Sequence, residues 1–97
     1  MNTNRKPVII CATKEGRAVI FGWVDSDPEP NKPVTIYDAR MVLRWEGSSG
    51  LFGLAAKGPE TGSRITAPVA RVVEHVWAQC LDVTPEAAQA LDEWPTC

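Results

Sequence analysis

The sequence is poor in the side chains on which most enzyme and metal sites depend. Histidine occurs once, at position 75, and the three cysteines stand far apart, at positions 11, 80 and 97. No Cys–His pair, no Ser–His–Asp set and no pair of metal ligands at a usual spacing can be assigned. We therefore predict a protein that is not an enzyme and has no catalytic residues, no metal and no cofactor.

An odd number of cysteines without framework spacing favours a reducing compartment. Long apolar runs are also missing. The run Val8–Ala12 is too short for a signal peptide, and no window has the length of a membrane span. The 97 residues suit one domain, so we expect a single domain over 1–97. From the cysteines and the missing apolar runs we expect a cytoplasmic protein without a membrane partner. A chain this small would gain stability as a homo-oligomer.

Positive charge is absent from the last quarter of the chain. No Lys or Arg follows Arg71, whereas five acidic residues do: Glu74, Asp82, Glu86, Asp92 and Glu93. In the first half, basic and aromatic residues alternate with acidic ones, so no basic stripe forms and nucleic-acid binding is disfavoured. The acidic quarter fits a solvated face or, alternatively, a surface for a basic partner.

The first half is rich in β-branched and aromatic residues, which favour strands. Val8–Thr13 and Arg17–Asp25 are predicted to form a hairpin that turns at Gly16. Residues 1–6 are polar and are predicted to be flexible. Three prolines make 25–33 a Pro-rich surface loop rather than part of the sheet.

A long third strand is predicted over Val34–Trp45, where apolar and polar positions alternate. The set predicted to face the core is Tyr37, Ala39, Met41, Leu43 and Trp45. The set predicted to face outward is Val34, Ile36, Asp38, Arg40, Val42 and Arg44. Because the strand exceeds the usual length, a bulge near Asp38-Ala39 is expected.

The segment from Ser63 to Val83 carries two competing signals. A short fourth strand is predicted over Ser63–Ala67. From Val69 to Val83 the apolar residues recur with helical spacing, but five valines and a tryptophan favour strands. The residues alone leave helix and strand both open for this part.

The end of the chain predicts a helix near 85–93. Thr84 is a typical N-cap, and Pro85 suits the first helical position. Pro95 ends the helix, so 95–97 is predicted to be a flexible tail.

The glycine-rich stretch Trp45–Thr66 holds five of the seven glycines and is the predicted binding site. Backbone amides there precede a short helix near 51–57, and amides at the start of a helix can hold an anion. Serine can cap this helix, lysine and arginine can add charge, and an aromatic ring can stack on a base. The predicted ligand-binding residues are Trp45, Gly47, Ser48, Ser49, Lys57 and Arg64. The alternative is that the glycines only form turns around a packed helix.

Several of these features resemble a family of small phage and prophage proteins of unknown function. The similarity spans about residues 8–92 and lies in Trp45-Glu46-Gly47, the helix residues Leu51, Leu54 and Ala55, Gly58-Pro59, Ser63-Arg64-Ile65 and Thr84-Pro85-Glu86. The resemblance implies strands over 69–83, joined near Glu74-His75. The predicted fold is therefore mainly β (α+β). It is a small twisted antiparallel sheet or partly open barrel of four to six strands, with helices near 51–57 and 85–93.

The resemblance also implies a viral accessory protein acting in the cytoplasm of a bacterial host. Our first functional hypothesis is a non-enzymatic binder that counters host defence by sequestering a nucleotide-type immune signal. The second is a protein–protein inhibitor or adaptor that docks on a host-defence or phage protein through exposed aromatic residues and the acidic C-terminal helix. A single-stranded nucleic-acid binder is the third.

Overall fold

The computed structural model describes residues 4–12, 18–47 and 49–97. Over these ranges the chain forms six strands and two helices. In chain order they are β1 (Lys6–Cys11), β2 (Val19–Val24), β3 (Val34–Arg44), α1 (Gly50–Lys57), β4 (Arg64–Ile65), β5 (Val69–Glu74), β6 (Gln79–Asp82) and α2 (Pro85–Glu93). The predicted hairpin turn at Gly16 lies outside the described residues.

The strands form one open antiparallel sheet, which confirms the predicted mainly β architecture. The strand order is β4-β3-β2-β1-β6, and β5 also pairs with β3. Strand β4 pairs with Val42 and Arg44, whereas β5 pairs with the first half of β3. The segment 69–83 is thus two strands, as the valines indicated, and its helical spacing was misleading.

The sheet curls because a short connection joins strands at opposite edges. Residues 75–78 alone link β5, which pairs with β3, to β6, which pairs with β1. So few residues cannot cross a flat sheet of this width. The Trp77 indole N–H donates to the Lys32 carbonyl oxygen at 2.8 Å, and the Ala78 N–H donates to the Cys11 carbonyl oxygen at 2.8 Å. These bonds hold the crossing chain against the sheet.

Apolar side chains are buried on both faces of the sheet. On one face, the strand residues Ile9, Phe21 and Val42 form a cluster with Leu54 of α1 and Leu91 of α2. On the other face lies a second cluster, which is Val8, Ile10, Ile20, Val24, Val34, Ile36 and Ala39, with Val72, Trp77 and Cys80 packed against it. The α2 and α1 helices also contact each other, since a Cβ on Gly58 would lie only 3.1 Å from the Ala90 Cβ.

The predicted bulge in β3 exists, but the predicted faces of this strand are only partly right: Ala39 is buried and Asp38 and Arg44 are exposed as expected. Asp38 has a φ of 49°, and the β2–β3 register shifts between Phe21 and Trp23. Val34, Ile36, Arg40 and Val42 are buried although they were expected to face outward. Met41 and Leu43, expected in the core, are 40% and 53% exposed. A bulge changes which side chains share a face, and both faces here carry a core.

Both ends of the described chain make contacts with the sheet or with the loop beside it. Arg5 pairs with Asp25 at 2.8 Å, and Lys6 pairs with Asp27 and with Asp82. The pairs with Asp25 and Asp27 join the Pro-rich loop to the start of β1, and the pair with Asp82 joins β1 to β6. Residues 1–3 of the segment predicted to be flexible lie outside the described residues, and the flexibility of 4–6 stays a prediction. At the other end, Thr96 forms an isolated parallel β-bridge with Ile65, and the Cys97 N–H donates to the Ile65 carbonyl oxygen at 3.1 Å. This end was predicted to be a flexible tail, and its flexibility stays a prediction.

Neither described helix is long and apolar enough to cross a membrane.

Candidate functional site

The glycine-rich stretch folds as turns around α1, close to the predicted bounds of this helix. Ser49 is the N-cap residue, but its side chain makes no capping hydrogen bond. Ser48 lies outside the described residues. The Ser63 hydroxyl donates to the Glu60 carbonyl oxygen at 2.7 Å and accepts from the Glu46 N–H at 3.0 Å. The turns on either side of α1 are therefore bound to each other.

The predicted ligand-binding residues do not all come together. Ser49 and Lys57 stand at opposite ends of α1, a separation of roughly 12 Å at the usual helical rise. Trp45 is half-buried and packs against the core beneath the helices. Arg64 is exposed, and its partner across the β3–β4 pair is Arg44. Lys57 is thus separated from the residues that precede the helix.

Carboxylates lie next to the same turns. A Cβ on Gly47 would be 3.2 Å from a carboxylate oxygen of Glu60, and a Cβ on Gly62 would be 3.1 Å from Glu46 Cγ. Glu46 also accepts a hydrogen bond of 2.8 Å from Arg44 Nε. The Arg44 guanidinium offsets the charge of Glu46, but the carboxylate of Glu60 beside Gly47 weakens the attraction of this turn for a phosphate. The nucleotide site remains a prediction. The residue types of the stretch favour it, whereas the separation of Lys57 and the nearby carboxylate of Glu60 disfavour it.

A groove with a different lining lies between the hairpin and α2. Pro7 and Trp23 are direct cross-strand partners in the β1–β2 pair and form its floor. One side of α2 forms its wall, with Pro85, Ala88, Gln89, Asp92 and Glu93. Its volume is about 400 Å³, which is at the small end of ligand pockets.

The wall of the groove depends on how α2 is held at its N-terminal end. The Thr84 hydroxyl accepts from the Ala87 N–H at 3.1 Å and donates to the Ala56 carbonyl oxygen at 2.7 Å. The Thr84 N–H donates to the Ala55 carbonyl oxygen at 3.0 Å. One residue therefore caps the start of α2 and satisfies carbonyl groups at the end of α1.

At its other end, α2 is held by Arg40, which is 2% exposed. The Arg40 guanidinium donates to the carbonyl oxygens of Leu91 and Asp92 at 2.8 and 3.1 Å. It also donates to the Thr66 carbonyl oxygen at 2.8 Å and lies 3.5 Å from the Thr96 hydroxyl oxygen. Burial lowers the pKa of this guanidinium, and the charge of Asp92 opposes that shift. Arg40 thereby fixes the α2 turn that carries the acidic rim.

The groove combines an apolar floor with an acidic rim. Two proline rings, the Trp23 indole and the Ala88 methyl group supply apolar surface. Asp92 and Glu93 are exposed at the rim, and among the described residues that line the groove none is a lysine or arginine. Within the described part of the chain, neither carboxylate forms an ion pair. The rim is therefore negative, next to an aromatic surface.

Residues 5–91 match the family model of a domain of unknown function, DUF6948. The chain belongs to the DUF6948 family. No curated protein and no solved structure matches it significantly. The matched region covers the glycine-rich stretch, the groove floor and most of α2, and it ends one residue before Asp92.

In this DUF6948 domain, the surroundings of His75, Cys11 and Cys80 do not favour catalysis. His75 is exposed in the connection between β5 and β6. Burial raises the pKa of Cys11, and burial likewise raises the pKa of Cys80 to about 11, so both thiols favour the unreactive protonated form. Among the described residues, no group of three or more His, Cys, Asp and Glu is placed to hold a metal ion.

Sequence reasoning did not find the groove. Its floor requires the exact register of the β1–β2 pair, and its wall requires the position of α2 on the sheet. Two signals were nonetheless present: β2 is apolar on both faces, and the last helix carries acidic residues with no compensating base. These signals mark two of the elements that line the groove, although not that they lie side by side.

Proposed function

We propose that this protein is a non-enzymatic adaptor or inhibitor that docks on a partner protein through the groove between Trp23 and α2. The observation that carries the proposal is the groove itself, with its apolar floor of Pro7 and Trp23 beside exposed carboxylates. Aromatic residues at the centre and polar residues at the rim are typical of protein interfaces.

The lining of the groove, rather than its size, favours a protein partner. At about 400 Å³, it has room for one or two inserted side chains and also falls within the range of small-ligand pockets, but an aromatic floor with a polar rim is typical of protein interfaces. The surrounding surface can then contact the rest of the partner. The exposed residue Gln89 lies on the groove wall and is available for such contacts.

The resemblance to small phage and prophage proteins adds a biological context to this proposal. In that context the partner is a host-defence or phage protein in a bacterial cytoplasm. Sequestration of a nucleotide by Gly47, Ser48, Ser49, Lys57 and Arg64, with Trp45 stacked on the base, is the competing function. The carboxylate of Glu60 beside Gly47, and the position of Lys57 at the far end of α1, are the reasons that we rank it second.

Site-specific photo-crosslinking in bacterial cells tests the docking function. A photo-reactive phenylalanine is placed at Gln89, on the groove wall, and in a separate variant at Phe52, which is 67% exposed on α1. We expect a discrete protein adduct from position 89 and none from position 52. The adduct should weaken in a Glu93→Gln background and persist with Glu86→Gln, because Glu86 is exposed on α2 but does not line the groove.

Equal adducts at both positions, or an adduct that is insensitive to Glu93→Gln, would contradict a role for the groove. Native mass spectrometry with a panel of cyclic and linear nucleotides tests the competing function. A retained nucleotide that is lost with Arg64→Ala, together with no adduct at position 89, would favour sequestration.

A further inference from the structure

We infer that the groove recognises an arginine side chain on an exposed segment of the partner, stacked on Trp23 and paired with the carboxylates of Asp92 and Glu93. This inference rests on the proposed docking function and specifies the chemistry of the residue that enters.

The aromatic surface comes from Trp23, which is half-buried. Phe21 meets its ring edge-on, with centroids 5.9 Å apart and an interplanar angle of 71°. Trp23 also packs against the core, so the indole is held in place. The part that lines the groove continues into the Pro7 ring, its cross-strand partner. A rigid apolar floor of this kind suits the aliphatic stem and planar head of a long basic side chain.

The charges come from the last turn of α2. Asp92 and Glu93 follow one another at the rim, and no basic residue stands in that turn. The helix dipole also places partial negative charge at this end. Arg40 compensates the dipole from inside the fold through the Leu91 and Asp92 carbonyl oxygens. The outward-facing rim therefore keeps a negative potential that a cation from a partner would neutralise.

The same chain already binds one of its own arginines with a ring and a carboxylate. The Arg5 guanidinium carbon lies 3.6 Å from the centroid of the Tyr37 ring, and Arg5 Nε donates to an Asp25 carboxylate oxygen at 2.8 Å. The groove offers the corresponding parts, with Trp23 as the ring and Asp92 or Glu93 as the carboxylate. In the groove, the guanidinium would come from another molecule.

Arginine fits this lining better than lysine. A guanidinium is planar, stacks on an indole and donates two parallel hydrogen bonds to a carboxylate. It is also less strongly hydrated than an ammonium group, so entering a half-apolar groove removes less hydration. We therefore expect the groove to discriminate between the two basic side chains, although they carry the same charge.

The test is an NMR titration of the intact ¹⁵N-labelled protein with three blocked tripeptides, acetyl-Gly-X-Gly-amide, in which X is arginine, lysine or citrulline. Citrulline has nearly the shape of arginine and no charge. We expect the arginine peptide to shift the Trp23 indole N–H and the α2 amides saturably, at millimolar concentration. Lysine should bind several-fold more weakly, and citrulline should produce no saturable shift.

Three variants sharpen the result. Glu93→Gln and Asp92→Asn should each weaken arginine binding about two- to fivefold, the range of one exposed ion pair. Glu86→Gln should leave it unchanged, because Glu86 is exposed on the same helix but outside the groove. Raised salt should weaken binding of the arginine peptide to the unmodified protein.

Equal binding of citrulline and arginine, shifts that map away from Trp23, or no shifts with any peptide would overturn the inference. These results differ from a failure of the proposed function. If position 89 still crosslinks to a protein while arginine peptides do not bind, the docking function stands and arginine recognition is wrong. If no partner crosslinks but the arginine peptide binds as described, the recognition chemistry stands and the cellular role is wrong.

Discussion

The Arg40 guanidinium donates a hydrogen bond of 2.8 Å to the carbonyl oxygen of Leu91, a residue 51 positions later in the chain. Helix α2 has no basic residue in its last turn and is followed by Trp94 in an extended conformation rather than by a left-handed glycine. The final carbonyl groups of a helix need donors from elsewhere. A buried strand residue therefore supplies both the donors and the positive charge that α2 lacks.

Replacing Arg40 with methionine should destabilise the protein by about 2–4 kcal/mol, since several buried carbonyl oxygens would lose a charged donor. Arg44→Met is the matched control, because Arg44 is exposed on the same strand and pairs only with Glu46 among the described residues. It should change stability by no more than about 0.5 kcal/mol. Urea unfolding measures both, and equal losses would show that Arg40 does not hold α2.

Loss of the Thr84 hydroxyl should also loosen α2, from its other end. Thr84→Val keeps the shape and removes the bonds to Ala87 and Ala56. We expect a loss of about 1–2 kcal/mol, or roughly 4–16 °C in Tm for a domain of this size. Thr84→Ser keeps the hydroxyl and should retain most of the stability. Calorimetry would count against the capping role if the serine and valine variants melted together.

A methyl group at Gly22 should be poorly tolerated. An added Cβ would lie 2.2 Å from Ile36 Cγ2 and 3.0 Å from the Tyr37 carbonyl oxygen. We expect Gly22→Ala to cost about 1–3 kcal/mol through overpacking. The cost should fall in an Ile36→Ala background, which removes the nearest atom. A double-mutant cycle from denaturant unfolding measures this coupling, and strictly additive losses would contradict it.

The Cys80 thiol should contribute to a loss of stability at high pH. Burial raises the pKa of this thiol to about 11, so folding favours the protonated form. The contribution is complete below the ordinary thiol pKa and disappears as the pH rises towards about 11. Urea midpoints of the protein should therefore fall more steeply than those of Cys80→Ala between pH 9 and pH 11. Parallel curves would mean that the thiol ionises equally in both states.

Local signals predicted most of the elements. Thr84-Pro85 gives the start of α2, and the glycines bracket α1. These features depend on residues close in sequence, and so they can be read from the chain alone. For 69–83 the residues left helix and strand both open, because strand formation there depends on pairing with the distant strands β3 and β1.

The faces of β3 could not be read in this way. Alternation separates two sets of side chains, but it does not say which set will be covered. The helices cover Val42, and the crossing chain near Trp77 helps to cover the face that carries Ile36. Arg40 is buried only because α2 and the chain end bring carbonyl and hydroxyl oxygens to it.

The candidate site was still harder to predict. The glycines of Trp45–Thr66 correctly indicate turns, yet the positions of Lys57 and Arg64 relative to those turns depend on the length of α1 and the register of β4. The groove joins Pro7, Trp23 and α2 from three distant parts of the sequence. Only tertiary structure places them side by side.

The long-range capping of α2 has a consequence for how the chain folds. A nine-residue helix is too short to persist alone in water. Its two ends are completed by α1 and by the middle of β3, so we expect it to form only after those parts are in place. The helix would then dock onto a sheet that has already formed. Since contacts distant in sequence slow folding, docking of α2 becomes a late step, and the groove, whose wall is α2, is formed only when that step is complete.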